Sequence, residues 1–180
     1  VLMREIMLWY KESLSPQALA LIRLLGACDR PLSPVCLDLM LSKNCTDPLR
    51  KQSFQAAKLE CESLLSTDEA GRLDLHSIVR EVFQEEWLEA DSKQAQAAHG
   101  ILADFYTSQA EAAVKRGNPT LQELEPAFAA MHHRIMREEL NTARTIFNDV
   151  VQQGERFYLV NVLGAWGFIA KCFSYVVWCP

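Results

Sequence analysis

The sequence predicts a mainly α-helical protein, with a winged-helix domain and preceding linker helix over residues 1–90 and a tetratricopeptide-like antiparallel helical array over residues 91–180. Three observations carry that expectation. Two serine–proline pairs, Ser15-Pro16 and Ser33-Pro34, put a capping hydroxyl and a helix-compatible proline at successive helix starts. A single run, "SLLSTDEAGRLDLH" (63–76), holds two short extended segments around a turn, the signature of one β-hairpin. Beyond Asp91 the apolar residues recur at helical steps, without the alternation of a strand.

Taken in order, residues 2–13 are expected to form a first helix. The second begins at Ser15-Pro16 and should bury one stripe of Leu14, Ala18, Leu21, Ile22 and Leu25 before Gly26 to Pro31 end it. The third begins at Ser33-Pro34, with Val35, Cys36, Leu39 and Met40 on one face. Asp47-Pro48 is expected to cap a longer fourth helix reaching about Glu62. After the hairpin comes a helix with Ile78, Val79, Val82, Phe83 and Trp87 as its apolar face. Three helices, a hairpin and a closing helix make the winged-helix order.

The second half opens with an alanine-rich helix, "DSKQAQAAHGILADFYTSQAEAAV", stopped by "KRGNP". Leu121, Leu124, Phe128, Met131 and Ile135 then step by three and four, a narrow seam for packing on another helix. Ala143, Ile146, Phe147, Val150 and Val151 form a third apolar face, ended by "QQGE". Short connections favour antiparallel neighbours. No exact internal repeat is present, but paired helices of this kind are what a degenerate tetratricopeptide-like array would show. The run Phe157–Trp178 is long enough to cross a bilayer, yet Lys171, Asn161 and Ser174 inside it would be costly in lipid, so a buried helix pair broken near Gly164 and Gly167 is expected and no membrane partner.

Bulk properties restrict the function. The net charge of −5 and a pI near 5.4 speak against nucleic acid. Between Ser15 and Ala90 there are 8 Lys/Arg against 12 Asp/Glu, and the hairpin tip "TDEAGR" is acidic where a DNA-reading wing needs arginine. The six cysteines include no CxxC pair, and most sit among apolar neighbours, so a reduced cytoplasmic protein is expected rather than a disulfide scaffold. The chain starts in mid-helix without Met, as a fragment of a longer protein would.

Few residues are candidates for chemistry. No Gly-rich phosphate loop, GxSxG or HExxH occurs, so this chain is expected to be no enzyme and to hold no metal or nucleotide by itself. His132 and His133 are adjacent and diverge by about 100° on a helix, so they cannot jointly grip a metal; both read as ordinary, partly exposed residues, and His99 as a packing or hydrogen-bonding residue. Glu85, Glu86, Glu138 and Glu139 read as solvated carboxylates. That leaves His76, on the joint where the hairpin hands over to an apolar helix. A helix start offers N–H groups and a positive dipole end, and an imidazole there can donate to a phosphate oxygen.

The residues around it carry a resemblance. "LDLHSIVREVF" resembles the end of the winged-helix domain in the STAND class of signalling NTPases, the group of NOD-like receptors and their bacterial relatives. In that family a Met-His-Asp motif or a variant of it follows the hairpin and opens a helix, and Leu75-His76-Ser77 occupies that position, with serine replacing the acidic residue. "LWYKESLSPQALALIRLLGACDRPLSPVCLDLML" resembles the opening of the same domain. "ELEPAFAAMHHRIMREELNTARTIFNDVVQQGERFYLVNVLGAWGFIAKCF" is similar to the helical repeats that follow in many bacterial members.

The resemblance implies an upstream nucleotide-binding domain in the same protein, ADP/ATP with Mg bound there, and His76 contacting the β-phosphate of ADP in the resting state. It implies a regulatory fragment for signalling or immune defence, with ATPase chemistry confined to the full-length protein. A protein ligand or oligomer partner would bind the repeats. Two other readings stand beside it: part of a STAND-type transcription regulator, or a stand-alone helical interaction adaptor.

Overall fold

The computed structural model describes residues 2–43, 48–117 and 119–153. The protein is mainly helical, with eight α-helices and one two-stranded antiparallel sheet among the described residues. Two compact units divide at Leu102, inside one long helix.

The first unit begins with α1 (Leu2–Lys11), α2 (Pro16–Gly26) and α3 (Pro34–Ser42). Ser15 and Ser33 cap α2 and α3 as expected, their hydroxyls accepting from the amides of Ala18 (3.2 Å) and Cys36 (3.3 Å). α2 is buried over more than a stripe, because it packs against α4 (Phe54–Glu60), the second hairpin strand and α5 (Ser77–Ala90). That helix ends at the expected Gly26 to Pro31 stretch, with Gly26 as its last residue. A Cβ there would stand 3.2 Å from the backbone nitrogen of Gln84 and 3.3 Å from the carbonyl oxygen of Arg80, so glycine permits the close approach of α2 to α5. On α3 the buried face is Cys36, Leu37, Met40 and Leu41, while Val35 points to solvent.

The fourth helix is shorter than expected. Asp47 lies outside the described residues, and Pro48–Ser53 form turns ahead of α4. The Ser53 hydroxyl accepts from the amide of Arg50 (3.0 Å) and donates to its carbonyl (3.1 Å), closing a local turn that competes with helix, while Leu49 is fully buried as an anchor. A 3-10 turn, Glu62–Leu64, leads to the hairpin of β1 (Leu65–Thr67) and β2 (Leu73–Leu75), paired Leu65 to Leu75 and Thr67 to Leu73. Gly71 takes the left-handed conformation (φ 73°) that the turn requires. Leu32 bridges the other side of β2 at Leu73, tying the hairpin to the start of α3.

α5 buries Val79, Val82, Phe83, Glu86 and Trp87, whereas Ile78 is 42% exposed. Four of the five expected residues are thus buried, and Glu86 completes the stripe in place of Ile78. α6 (Ser92–Arg116) follows, and the Trp87 indole N–H donates to Gln94 on its first turns (3.1 Å).

In the second unit α7 (Glu125–Met136) packs on α8 (Leu140–Ile146). Thr120 and Glu123 form a reciprocal cap before α7, the Thr120 amide donating to the Glu123 carboxylate (2.9 Å) and the Glu123 amide to the Thr120 hydroxyl (3.3 Å). The buried face of α7 is Ala127, Ala129, Ala130 and His133, and of the expected seam only Leu124 is fully buried. Small side chains let helix backbones approach, which pushes Phe128, Met131 and Ile135 to the margin. Ala143, Ile146, Val150 and Val151 are buried as expected, but the last turn, Phe147–Val151, widens to a π-turn. The segment Phe157–Trp178 lies outside the described residues. Among the described residues no helix is long and apolar enough to cross a membrane.

Candidate functional site

Local backbone chemistry places His76 between β2 and α5. With φ −57° and ψ 140° it is still extended, yet its carbonyl already accepts the first α5 bond from the Arg80 amide (3.0 Å). Its Nδ1 accepts from the Ile78 amide at 3.4 Å, so the imidazole serves as the N-cap. An imidazole that accepts at Nδ1 has Nε2 as its remaining donor position. His76 and Ser77 are exposed, and Leu75 is buried and anchors the strand end beneath them.

Arg80 holds this junction together. Its guanidinium pairs with the Asp74 carboxylate and donates to the carbonyls of Asp29 (3.2 Å) and Leu75 (3.5 Å). Asp74 also accepts from the Leu75 amide (2.9 Å). One side chain therefore ties the end of β2, the first turn of α5 and the loop after α2, and keeps the His76 backbone in place. The sequence reading missed Arg80. Its signal was the Asp74…Arg80 spacing across the strand–helix joint, which lets an arginine one turn into a helix reach back to the strand.

A second polar cluster lies along α5. Glu86, read from sequence as solvated, is only 5% exposed. Arg23 of α2 grips it with two bonds (2.8 and 2.5 Å), and the Lys11 ammonium of α1 adds a third contact (2.5 Å). Burial pushes the Glu86 carboxyl up, but Arg23 and Lys11 outweigh it and hold the group below the ordinary carboxylate range. The signal was present: Glu86 follows Val82 by four and Phe83 by three, which puts it on the buried stripe.

The other candidates divide. His99 and His133 are fully buried, which corrects the partly exposed reading for His133 and keeps the packing one for His99. Tyr106 stacks on His133, ring centroids 5.7 Å apart. Glu139 is no free carboxylate, since Arg134 (2.8 Å) and Arg137 (2.9 Å) both hold it. Glu85 and Glu138 are exposed. Cys28, Cys36 and Cys61 are buried thiols not joined in disulfides; burial pushes Cys28 well up and Cys61 to about 11, which makes both poor nucleophiles. No group of three or more His, Cys, Asp or Glu suited to a metal ion occurs among the described residues.

The hairpin tip bears on nucleic-acid binding. Arg72, its one cation, lies on the Asp68 carboxylate (2.6 Å), and Asp68 also accepts from the amides of Ala70 and Arg72. Those bonds, the Arg72 amide foremost, hold the Asp68 carboxyl below its usual range, so the tip stays anionic. Fluorescence anisotropy with duplex DNA at low salt is expected to show no saturable binding. Micromolar affinity that collapses with added salt would contradict the electrostatic argument.

No protein-family model, no curated protein and no solved structure matches the chain.

Proposed function

We propose that this chain is the regulatory segment of a STAND-class signalling NTPase: its winged-helix domain followed by the first tetratricopeptide-like helical repeats, acting in cytoplasmic signalling or immune defence. The order α2, α3, α4, hairpin, α5 supports the winged-helix reading. The observation that carries the functional one is His76, exposed at the start of a 14-residue helix with Nδ1 engaged and its Nε2–H left to donate outward. A phosphate oxygen presented to that joint would meet the donor together with the positive end of the helix.

On this reading His76 supplies a phosphate contact, and the sequence holds no Gly-rich phosphate loop of its own. The phosphate loop and the Mg ligands would belong to an upstream domain of the same polypeptide, and His76 would bridge to the ADP held there. Resting and active states would then differ by whether the winged-helix unit is docked on that domain, and a protein ligand on the repeats would bias the balance.

The full-length protein is therefore expected to purify with bound ADP, while residues 1–180 alone neither bind nor hydrolyse ATP. Nucleotide extraction and a turnover assay on both check this. ATP hydrolysis by the 180-residue chain, abolished by a substitution within it, would overturn the proposal, as would a full-length polypeptide lacking a phosphate loop.

A further inference from the structure

The Glu86 cluster joins two kinds of partner, and they are not equivalent. Arg23 comes from α2, whose side chains form much of the first unit's core, and it grips both carboxylate oxygens. Lys11 comes from α1, which is held in another way. Among the described side chains of α1 none is buried; Met7, Tyr10 and Lys11 are half-buried, and Trp9 is 72% exposed. Besides Lys11, α1 reaches α5 through Arg4, which lies 3.6 Å from both Glu85 and Glu89. Three carboxylates on one face of α5 thus receive two cations from α1 and one from α2.

We propose that α1 is a releasable latch on the first unit, closed by charge and able to open without unfolding what it covers. Two features make opening tolerable. Glu86 keeps its bidentate arginine when Lys11 leaves, so no buried carboxylate is orphaned, the event that makes breaking a buried ion pair so destabilising. The chain is also pinned just beyond the helix: the Ser15 amide and hydroxyl both donate to the Glu60 carboxylate of α4, each at 2.5 Å. Motion of α1 therefore stops at Glu12–Leu14, where short-range bonds to Trp9, Tyr10 and Lys11 carbonyls (3.0–3.2 Å) form a separable turn. Opening would leave the exposed Glu85 and Glu89 and the buried Glu86 with Arg23 alone to balance them, an acidic strip. This inference does not depend on the nucleotide reading.

Hydrogen exchange by mass spectrometry on the whole chain tests it, with α2 and α5 amides as internal references. In wild type, raising salt from low to about 1 M should speed exchange of α1 several-fold and leave the references unchanged, because partly exposed ion pairs are screened. The double variant Arg4→Gln/Lys11→Gln should raise α1 exchange about tenfold at low salt and abolish the salt effect. Its melting temperature should stay close to that of wild type. If α1 protection ignores both salt and substitution, charge does not close the latch. If α1, α2 and α5 lose protection together, α1 is an integral part of the unit and the proposal fails.

Discussion

Glu86→Ala is expected to lower the stability of the protein by about 3 kcal/mol, within the range for removing one partner of a buried ion pair. The substitution leaves the Arg23 guanidinium, itself mostly shielded, without its carboxylate, and it strips Lys11 of its near partner. Glu86→Gln should cost less, since the amide oxygen still accepts from Arg23 and the side-chain volume is kept. Lys11→Gln should cost least, because Glu86 retains its bidentate partner. Urea denaturation of the three variants beside wild type measures the order. A loss for Lys11→Gln as large as that for Glu86→Ala would contradict this order, because Glu86 keeps both bonds to Arg23 when Lys11 is neutralised.

The same residue gives the acid response a sign. Its folded-state carboxyl lies below its unfolded value, so its stabilising contribution is complete above the unfolded carboxylate range near about pH 4.3 and disappears as pH falls through the lower folded value. The stability gap between wild type and Glu86→Gln should therefore be full at about pH 6 and close as the solution is taken well below about pH 4. The exposed carboxylates Asp68 and Glu123 are also held low, Asp68 by the Arg72 amide and guanidinium and Glu123 by the Thr120 amide and hydroxyl, but both remain in either protein and cancel in the comparison.

What could be read from the sequence, and what could not, follows from which forces act locally. The Ser15 and Ser33 caps, the hairpin turn at "DEAG" and the start of α5 at the joint were legible because each depends on residues close by in the chain. Helix phase was less so. Ile78 fits the apolar stripe as well as Glu86 by residue type, and only the presence of Arg23, sixty-three residues earlier, makes the carboxylate the buried one. The face of α7 misled for a related reason: large residues mark a seam when helices stand apart, but Ala127 and Ala130 allow a close approach that hydrophobic spacing cannot announce. At His76 the position was visible from the strand-to-helix handover, while the Arg80 brace that fixes it was not, since it needs the loop at Asp29 brought alongside.

His76→Ala in the full-length protein is expected to raise the ADP release rate roughly tenfold to hundredfold, the effect of removing a hydrogen bond to a charged group worth about 1.5–3 kcal/mol. Such a shift in the resting balance would populate the active state without its trigger, so the phenotype is gain of function. The structure supplies the control that separates this from a loss of helix stability. Because the imidazole also caps α5 through Nδ1 and the Ile78 amide, alanine removes two interactions at once, and the cap alone is worth about 1 kcal/mol. Asparagine is among the best capping residues, yet it is too short to reach where Nε2 points. His76→Asn should therefore restore the melting temperature lost in His76→Ala while still releasing ADP fast. The exposed position favours that outcome, since no packing around His76 has to be rebuilt. If His76→Asn recovers both stability and slow release, the imidazole serves only to start the helix. Release that stays fast in a variant of normal stability places the message in the Nε2–H bond to phosphate.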